Sequence, residues 1–260
     1  MFVAIYKSDL FYPDNKFDLA TLRVSGNMTN MPFVSVITAT YNRARFIPRI
    51  IECYVEQTYP HEQMEWIILD DGTDSTEDLF KNYGLPNVRW YSCEKVPMGE
   101  KLNRLIEYAR GDIVVVMDDD DYYPPERVSS VVEAFQANPT IELAGSSEVY
   151  MYYADTAKIY SAGPYMDTHA LNCTLAWRRS YTKTHRYDPT EGCAVEHGFL
   201  DNFTQPMIQL NPFYTILHII HKSNTFDRAN HKKIGLVKKT SMKLDDFIVD
   251  PEMRKAFLDE

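Results

Sequence analysis

Between residues 33 and 138 the apolar pattern switches repeatedly between two periods, and this alternation restricts the chain more than any other feature. Residues 33–40 (FVSVITAT) are β-branched and apolar, the composition of a strand buried on both faces. Over residues 45–57, Phe46, Ile47, Ile50, Ile51, Tyr54 and Val55 then recur at helical spacing. Residues 64–69 return to the strand pattern, and Asp74 with Glu77 forms a capping-box signature that opens a short helix. A third strand is predicted over 87–93, a helix over 99–110 closed by Gly111, and a fourth strand over 113–117. Pro124 and Pro125 begin a helix that reaches about Asn138.

Strands alternating with helices over short connections predict an α/β fold, with a Rossmann-like, mostly parallel sheet flanked by helices. Sheets of this kind bind ligands beyond the carboxyl ends of their strands. Thr40-Tyr41-Asn42-Arg43, Asp70-Asp71-Gly72 and Asp118-Asp119-Asp120-Asp121 each follow a predicted strand at that end. Three polar clusters therefore converge on one edge.

Beyond residue 140 the rhythm breaks into a smaller mixed region. Residues 141–153 and 158–160 read as a Tyr-rich hairpin, 171–178 as a strand, 195–203 as a short helix and 213–221 as a buried strand. Residues 244–259 suggest a terminal amphipathic helix. The resulting division is an N-terminal extension over 1–31, a domain over 32–225 with halves at 32–140 and 141–225, and a C-terminal extension over 226–260.

Four consecutive carboxylates repel one another, and burying part of such a group requires compensating positive charge. A hard divalent cation supplies it, and carboxylate oxygens suit Mg²⁺ or Mn²⁺. The alternative is a solvated acidic turn at a helix start. Following directly on an apolar strand at the ligand edge, the run reads as a metal site. An EF-hand is excluded, because Gly and Glu are missing at the required offsets.

The 37 acidic residues outnumber the 27 basic ones, for a net charge of −10. Such a balance disfavours a nucleic-acid partner, which requires clustered Lys and Arg. Cys53, Cys93, Cys173 and Cys193 show no metal spacing and read as reduced thiols in a cytoplasmic protein. No apolar run approaches the ~18 residues of a membrane span, and the N-terminus lacks the order of a signal peptide.

Three segments now bear a resemblance to a known family. Residues 34–43 (VSVITATYNR), 68–76 (ILDDGTDST) and 99–128 (GEKLNRLIEYARGDIVVVMDDDDYYPPERV) resemble, in order and spacing, the motif segments of family 2 inverting glycosyltransferases with the GT-A fold. The likeness extends over residues 33–132, with weaker echoes to 228. It implies a nucleotide-sugar donor, UDP-sugar favoured, a Mn²⁺ or Mg²⁺ cofactor, and a hydroxyl acceptor on a glycan or similar molecule.

The resemblance also implies roles. Thr40 and Tyr41 lie against the nucleotide, Tyr41 on the base, and Asp71 or Asp70 accepts the imide N–H of a pyrimidine. Asp70 has an alternative as the cap of the turn at Gly72. Arg43 and Lys101 reach phosphate or ribose, supported by Asn103. Asp118 and Asp120 match the two aspartates of DxD, with Asp120 the direct metal ligand, while Asp119 contacts ribose or backs up the metal. The base is the acid of an "ED"-like motif, matched here by Glu196, although His197 stands where an Asp is common; Asp201, Glu191 and His197 are alternatives. His221 completes the metal site, with His218 as runner-up. Trp177 and the tyrosines between 150 and 165 either stack on sugar or pack as core. Two competing functions are a nucleotidyltransferase, disfavoured because TATYNR replaces a Gly-rich basic loop, and a catalytically silent nucleotide-sugar-binding module.

Overall fold

The computed structural model describes residues 31–224 and 237–258. Its first half follows the alternation. Strands β1 (Val34–Thr40), β2 (Met64–Asp70), β3 (Val88–Ser92) and β4 (Ile113–Val116) stand in the order β3-β2-β1-β4, all parallel. β2 and β4 are buried along their whole length, which is why their sequences are continuous apolar runs.

Helices Ile47–Val55 and Glu77–Tyr83 are two of the crossovers. Tyr54 stacks on Trp66 of β2 at 4.6 Å, and Phe80 meets the same indole edge-on at 5.1 Å. Buried Trp66 donates its indole N–H to Thr38 Oγ1 at 2.9 Å, so its polar atom is satisfied inside the core. A second cluster includes Leu102, Leu105 and Ile106 of helix Met98–Tyr108 with Ile37, Leu69 and Val116.

The sheet then widens in a way the sequence pattern did not indicate. β8 (Ala176–Arg178) pairs antiparallel with β4 and with β5 (Leu143–Gly145), and β9 (Met207–Gln209) completes a seven-stranded sheet beside β5. The stretch read as one strand over 141–153 is divided. Its first part is β5, and its second, β6 (Val149–Tyr153), belongs to another sheet with β7 (Lys158–Ala162), β10 (Leu217–Ile220) and β11 (Val237–Lys239). Ser146 Oγ, which accepts from Glu148 N–H and donates to Glu148 carbonyl, folds the chain between the two. Backbone alternation alone cannot report a change of sheet.

Other expectations are corrected in detail. The capping box does not form: Asp74 Oδ2 accepts instead from Ala44 N–H at 3.2 Å, and the helix begins after Thr76. Helix Arg127–Ala137 starts after Glu126, beyond Pro124 and Pro125. Residues 195–203 give one turn, Glu196–Phe199, followed by Asp201, Asn202 and Phe203 at φ of 48°, 56° and 59°. Residues 213–221 are divided between helix Pro212–Thr215 and β10. The terminal helix shortens to Pro251–Ala256, capped by Asp250, whose carboxylate accepts from Met253 N–H at 2.7 Å. Residues 237–258 build onto the domain, through β11 and through Phe247, which stacks on Phe213 at 5.3 Å. Residues 1–30 and the link at 225–236 lie outside the described residues.

Gly111 does not act as a helix cap; the helix ends in extended Ala109. A Cβ on Gly111 would stand 2.5 Å from Ser35 N and 2.7 Å from Ile113 O, so glycine is there to let β1 and β4 approach. Gly111→Ala is therefore expected to lower unfolding stability in urea by about 1–3 kcal/mol. Gly198→Ala, whose methyl meets nothing within 4 Å, is expected to change it by less than about 0.5 kcal/mol. Equal effects at the two positions would refute the close-approach role.

Candidate active site

The carboxyl ends of β1, β2 and β4 do converge. Asn42 adopts a left-handed φ of 52°, which asparagine tolerates, and its Oδ1 accepts from Thr73 N–H at 2.7 Å and Thr73 Oγ1 at 3.1 Å. These bonds tie the first loop to the second. Asp70 closes that second loop: Oδ1 accepts from Gly72 N–H at 2.8 Å, and Oδ2 from Thr76 N–H at 3.1 Å and Thr76 Oγ1 at 2.8 Å. Both oxygens bond within the turn, the capping alternative that the sequence offered for Asp70.

Asp71 forms a buried ion pair with Lys101, and its Oδ2 accepts from Val96 N–H at 3.0 Å. Lys101 Nζ donates also to Thr40 O at 3.0 Å. The two side chains are 3% and 1% exposed, so this lysine is anchored inside the wall and does not reach out from it. Tyr41 stands in front of the pair with its ring 37% exposed and Lys95 Nζ 4.0 Å from the ring centroid. Asn103 departs from its expected place. Its side chain donates to Tyr187 O at 2.9 Å and accepts from Tyr187 N–H at 3.1 Å, clasping a loop distant in sequence.

The aspartate run is not a solvated turn. Asp119, Asp120 and Asp121 are 4%, 8% and 1% exposed, while Asp118 is half-buried. Asp118 N–H donates to Tyr123 Oη at 2.7 Å, and that hydroxyl donates to Cys173 O at 3.2 Å. Beneath it, fully buried Arg127 donates from Nη2 to Val116 O at 3.2 Å and to Thr174 O and Leu175 O at 3.0 Å. Burial draws this guanidinium down to about 10, still well inside its charged range.

Arg43 supplies the nearest cation. Its Nη1 donates to Asp120 Oδ2 and, at 3.3 Å, to Asp119 Oδ1; its Nη2 donates to Ser223 O at 2.9 Å. His221 Nε2 at 3.1 Å and Asn224 Nδ2 at 3.3 Å converge on the same Oδ2 of Asp120. Burial pushes Asp120 up, but the His221 hydrogen bond and the Arg43 charge more than reverse it, and its carboxyl lies below the usual range. Burial and the neighbouring Asp120 charge raise Asp119 instead.

Asp121 points to β10. Its Oδ1 accepts from Ile219 N–H at 2.8 Å and its Oδ2 from His218 Nδ1 at 2.8 Å. Paired backbone bonds between Tyr122 and Leu217, at 3.1 and 2.9 Å, hold the run against this strand. Ligand atoms of Asp121, Cys173 and His218 lie within 4.8 Å of one another, but both Asp121 oxygens are already engaged in orienting β10 and its histidine.

A cavity of about 600 Å³ opens between these groups and the second sheet. Thr40, Tyr41, Arg43, Lys101, Asp118, Asp119 and Asp120 line it, together with Glu196, Asn172, His218 and the apolar Val149, Met151, Tyr165 and Val195. Of the four base candidates Glu196 borders this cavity, from the first position of its helix. His197 turns its ring toward Phe203 at 5.4 Å, Asp201 accepts from Thr204 and Gln205, and Glu191 binds Gly99 N–H through its carbonyl. Trp177 is core, edge-on to Phe199 at 5.0 Å. His221 sits behind Asp120, with its ring 4.6 Å from Phe46.

The polar residues that sequence reasoning overlooked are Asn172, Ser223 and Asn224, together with the orienting role of Asp121. Each reaches the site from a loop or by an unexpected direction of its side chain, and none carries a periodic signal.

Residues 35–235 match the family described as "Glycosyl transferase family 2". The chain belongs to glycosyl transferase family 2. Among similar curated proteins is a dolichyl N-acetyl-alpha-D-glucosaminyl phosphate 3-beta-D-2,3-diacetamido-2,3-dideoxy-beta-D-glucuronosyltransferase of Methanococcus voltae, 29% identical over 111 residues, which are 41% of this chain and 35% of that protein. Another is the putative teichuronic acid biosynthesis glycosyltransferase TuaG of Bacillus subtilis, 36% identical over 92 residues, 34% of this chain and 36% of the relative. The matches thus span about a third of either relative's length.

The fold of this family 2 chain is shared with solved structures. The mannosyltransferase PcManGT from Pyrobaculum calidifontis, in complex with GDP-Man and Mn²⁺, gives a TM-score of 0.58 at 19% identity, covering 75% of this chain and 59% of its own. S. aureus TarS 1–349 in complex with UDP-GlcNAc gives 0.62 at 16% identity, covering 82% and 63%. The architecture is GT-A: a large, mostly parallel sheet flanked by helices, with a smaller mixed sheet beside it. Among the described residues no helix is long and apolar enough to cross a membrane.

Removing one partner of a buried ion pair leaves an uncompensated charge, which costs roughly 3–5 kcal/mol. Lys101→Met should accordingly lower the denaturant midpoint strongly, and Lys101→Met/Asp71→Leu should recover much of the loss. A single variant as stable as the parent would show that the pair does not hold the wall.

Proposed function

We propose that the chain transfers a glycosyl group, with inversion, from a nucleoside-diphosphate sugar to a hydroxyl acceptor on a glycan or similar molecule. What carries this reading is one cavity lined by carboxylates from two distant segments: Asp118, Asp119 and Asp120 at the β4 end, and Glu196 at the head of its helix. The names of the relatives, one acting on a dolichyl-linked sugar and one in teichuronic acid biosynthesis, support a glycan acceptor.

Tyr41 offers its exposed face to the nucleobase, and the Thr40 segment, pinned by Lys101, sets the height of that face. Asp71 is positioned by Lys101 and Val96 N–H, so a base or ribose reaching it meets a fixed acceptor. UDP is the favoured nucleotide.

The donor set fits a divalent cation: hard carboxylate oxygens of Asp118 and Asp120 with imidazole nearby, in a wall where three acids are almost wholly buried. When bound there, Mn²⁺ or Mg²⁺ neutralises charge developing on the diphosphate leaving group.

The choice of histidine changes from His221 to His218. A carboxylate only accepts, so His218 Nδ1 carries the proton it gives to Asp121, and Nε2 is the ring atom that would serve a cation. Ligating histidines usually hold a carboxylate in this way. His221 Nδ1 instead accepts from Ser223 N–H at 3.1 Å, so its proton is on Nε2, directed at Asp120.

Glu196, half-buried at the head of its helix, takes the proton from the acceptor hydroxyl as that oxygen attacks. A direct displacement requires one base and no covalent intermediate.

Melting curves with UDP, dTDP, GDP and ATP, each with and without Mn²⁺, test the binding half. UDP with Mn²⁺ at a hundredfold excess over Kd is expected to add about 2.7 kcal/mol, a rise of several degrees for a chain of this size. Asp120→Ala should abolish that rise, and an undiminished response would remove Asp120 from the cation site. Glu196→Gln is expected to keep the rise and lose transfer by about 10²–10⁴-fold, read as UDP release with a panel of sugar acceptors. Undiminished turnover in that variant would place the base elsewhere.

A further inference from the structure

Asp120 Oδ2 accepts from three donors at once, Arg43 Nη1, His221 Nε2 and Asn224 Nδ2, and no position is left on that oxygen for a metal ion. The same guanidinium spans outward to Ser223 O at 2.9 Å, and Arg45 Nη2 holds Ser223 Oγ at 2.7 Å. Arg43 therefore joins the acidic cluster to the turn at 221–224, beside the direct bonds of His221 and Asn224 to the same oxygen.

We propose that Arg43 is an exchangeable countercharge: it occupies the Asp120 carboxylate when no divalent cation is bound, and a cation that takes this oxygen displaces it and loosens the 221–224 turn, whose His221 and Asn224 hold the same oxygen. This rests on the assignment of the cation to the Asp118 and Asp120 carboxylates.

The physical basis is the balance of charge in a wall shielded from water. Asp119 and Asp120 are more than nine-tenths buried, and side by side they require a positive charge whether or not metal is present. Arg43 supplies it through charge-assisted bonds. Once a divalent ion sits on Asp120, a guanidinium in contact with the same oxygen faces a like charge and gives up that acceptor, keeping Asp119 Oδ1 at 3.3 Å. Its bond to Ser223 O is to a neutral acceptor and is weaker than the one to Asp120. The released guanidinium remains on the cavity lining, where an anionic leaving group can receive it.

Manganese affinity of the nucleotide-free protein, measured by titration calorimetry and by the free Mn²⁺ EPR signal, tests the exchange. Arg43→Gln is expected to bind Mn²⁺ about tenfold more tightly than the parent, the equivalent of one charge-assisted bond no longer in competition. Arg45→Gln removes the same charge from the same loop without touching Asp120, and should change affinity by less than about threefold. Equal gains in the two variants would overturn the exchange and leave only a general field effect.

Hydrogen exchange reads the second half of the proposal. Mn²⁺ is expected to accelerate exchange of the Ser223 and Asn224 amides in the parent, and by a smaller factor in Arg43→Gln, where one of the turn's ties to Asp120 is already gone. Amides that Mn²⁺ leaves untouched in the parent would overturn the coupling. Mn²⁺ binding by neither protein would overturn the cation assignment itself; binding with one shared constant overturns the exchange alone.

Discussion

Three carboxylates in succession, each more than nine-tenths buried at the end of one strand, set a demand that the surrounding structure is arranged to meet. Negative charge in a poorly hydrated wall has to be matched nearby. Arg43 does so from the front, His221 and Asn224 from the turn beyond β10, and Arg127 from beneath, through the carbonyls at the root of the strand. Asp121 is matched by His218 and Ile219 N–H. The two sheets meet at this point because the charges have to be shared between them.

The other wall relies on a similar device at smaller scale. Asp71 and Lys101 neutralise each other inside the protein, and Lys101 uses a second proton to hold Thr40 O. This part of the cavity lining is thereby braced: Tyr41 projects from a segment fixed by a buried cation, and Asn42 locks it to the second loop. Asp70 and Asp71 are adjacent in sequence and separate in function, one closing a turn and the other paired across to a helix.

Much of this was legible in advance. The parallel direction of β1 to β4, the carboxyl-edge location of three polar clusters and the burial of helix faces at Ile50 and Ile51 follow from periodicity, because buried strands and amphipathic helices leave recognisable patterns. The aspartate run was recognisable as a charge requirement, and Glu196 as an acid at the head of a helix. The antiparallel β8, the division of residues 141–153 between two sheets and the place of residues 237–258 were not legible, since short strands of three residues carry no period. Asn103 was misplaced for a related reason: a side-chain amide looks the same in sequence whether it meets a ligand or a backbone 84 residues away.

By itself the amino-acid sequence determined the α/β alternation, the family likeness and the presence of acidic chemistry at the β4 end, because these depend on local order along the chain. Only the tertiary structure decided which acid does what. Asp70 became a turn cap, Asp121 a support for His218, Asp120 the meeting point of Arg43, His221 and Asn224, and Glu196 the acid that faces the cavity. The reason is physical: a carboxylate's role is set by which donors and charges surround it in space, and those come from segments up to 180 residues apart, as Arg43 and Ser223 show.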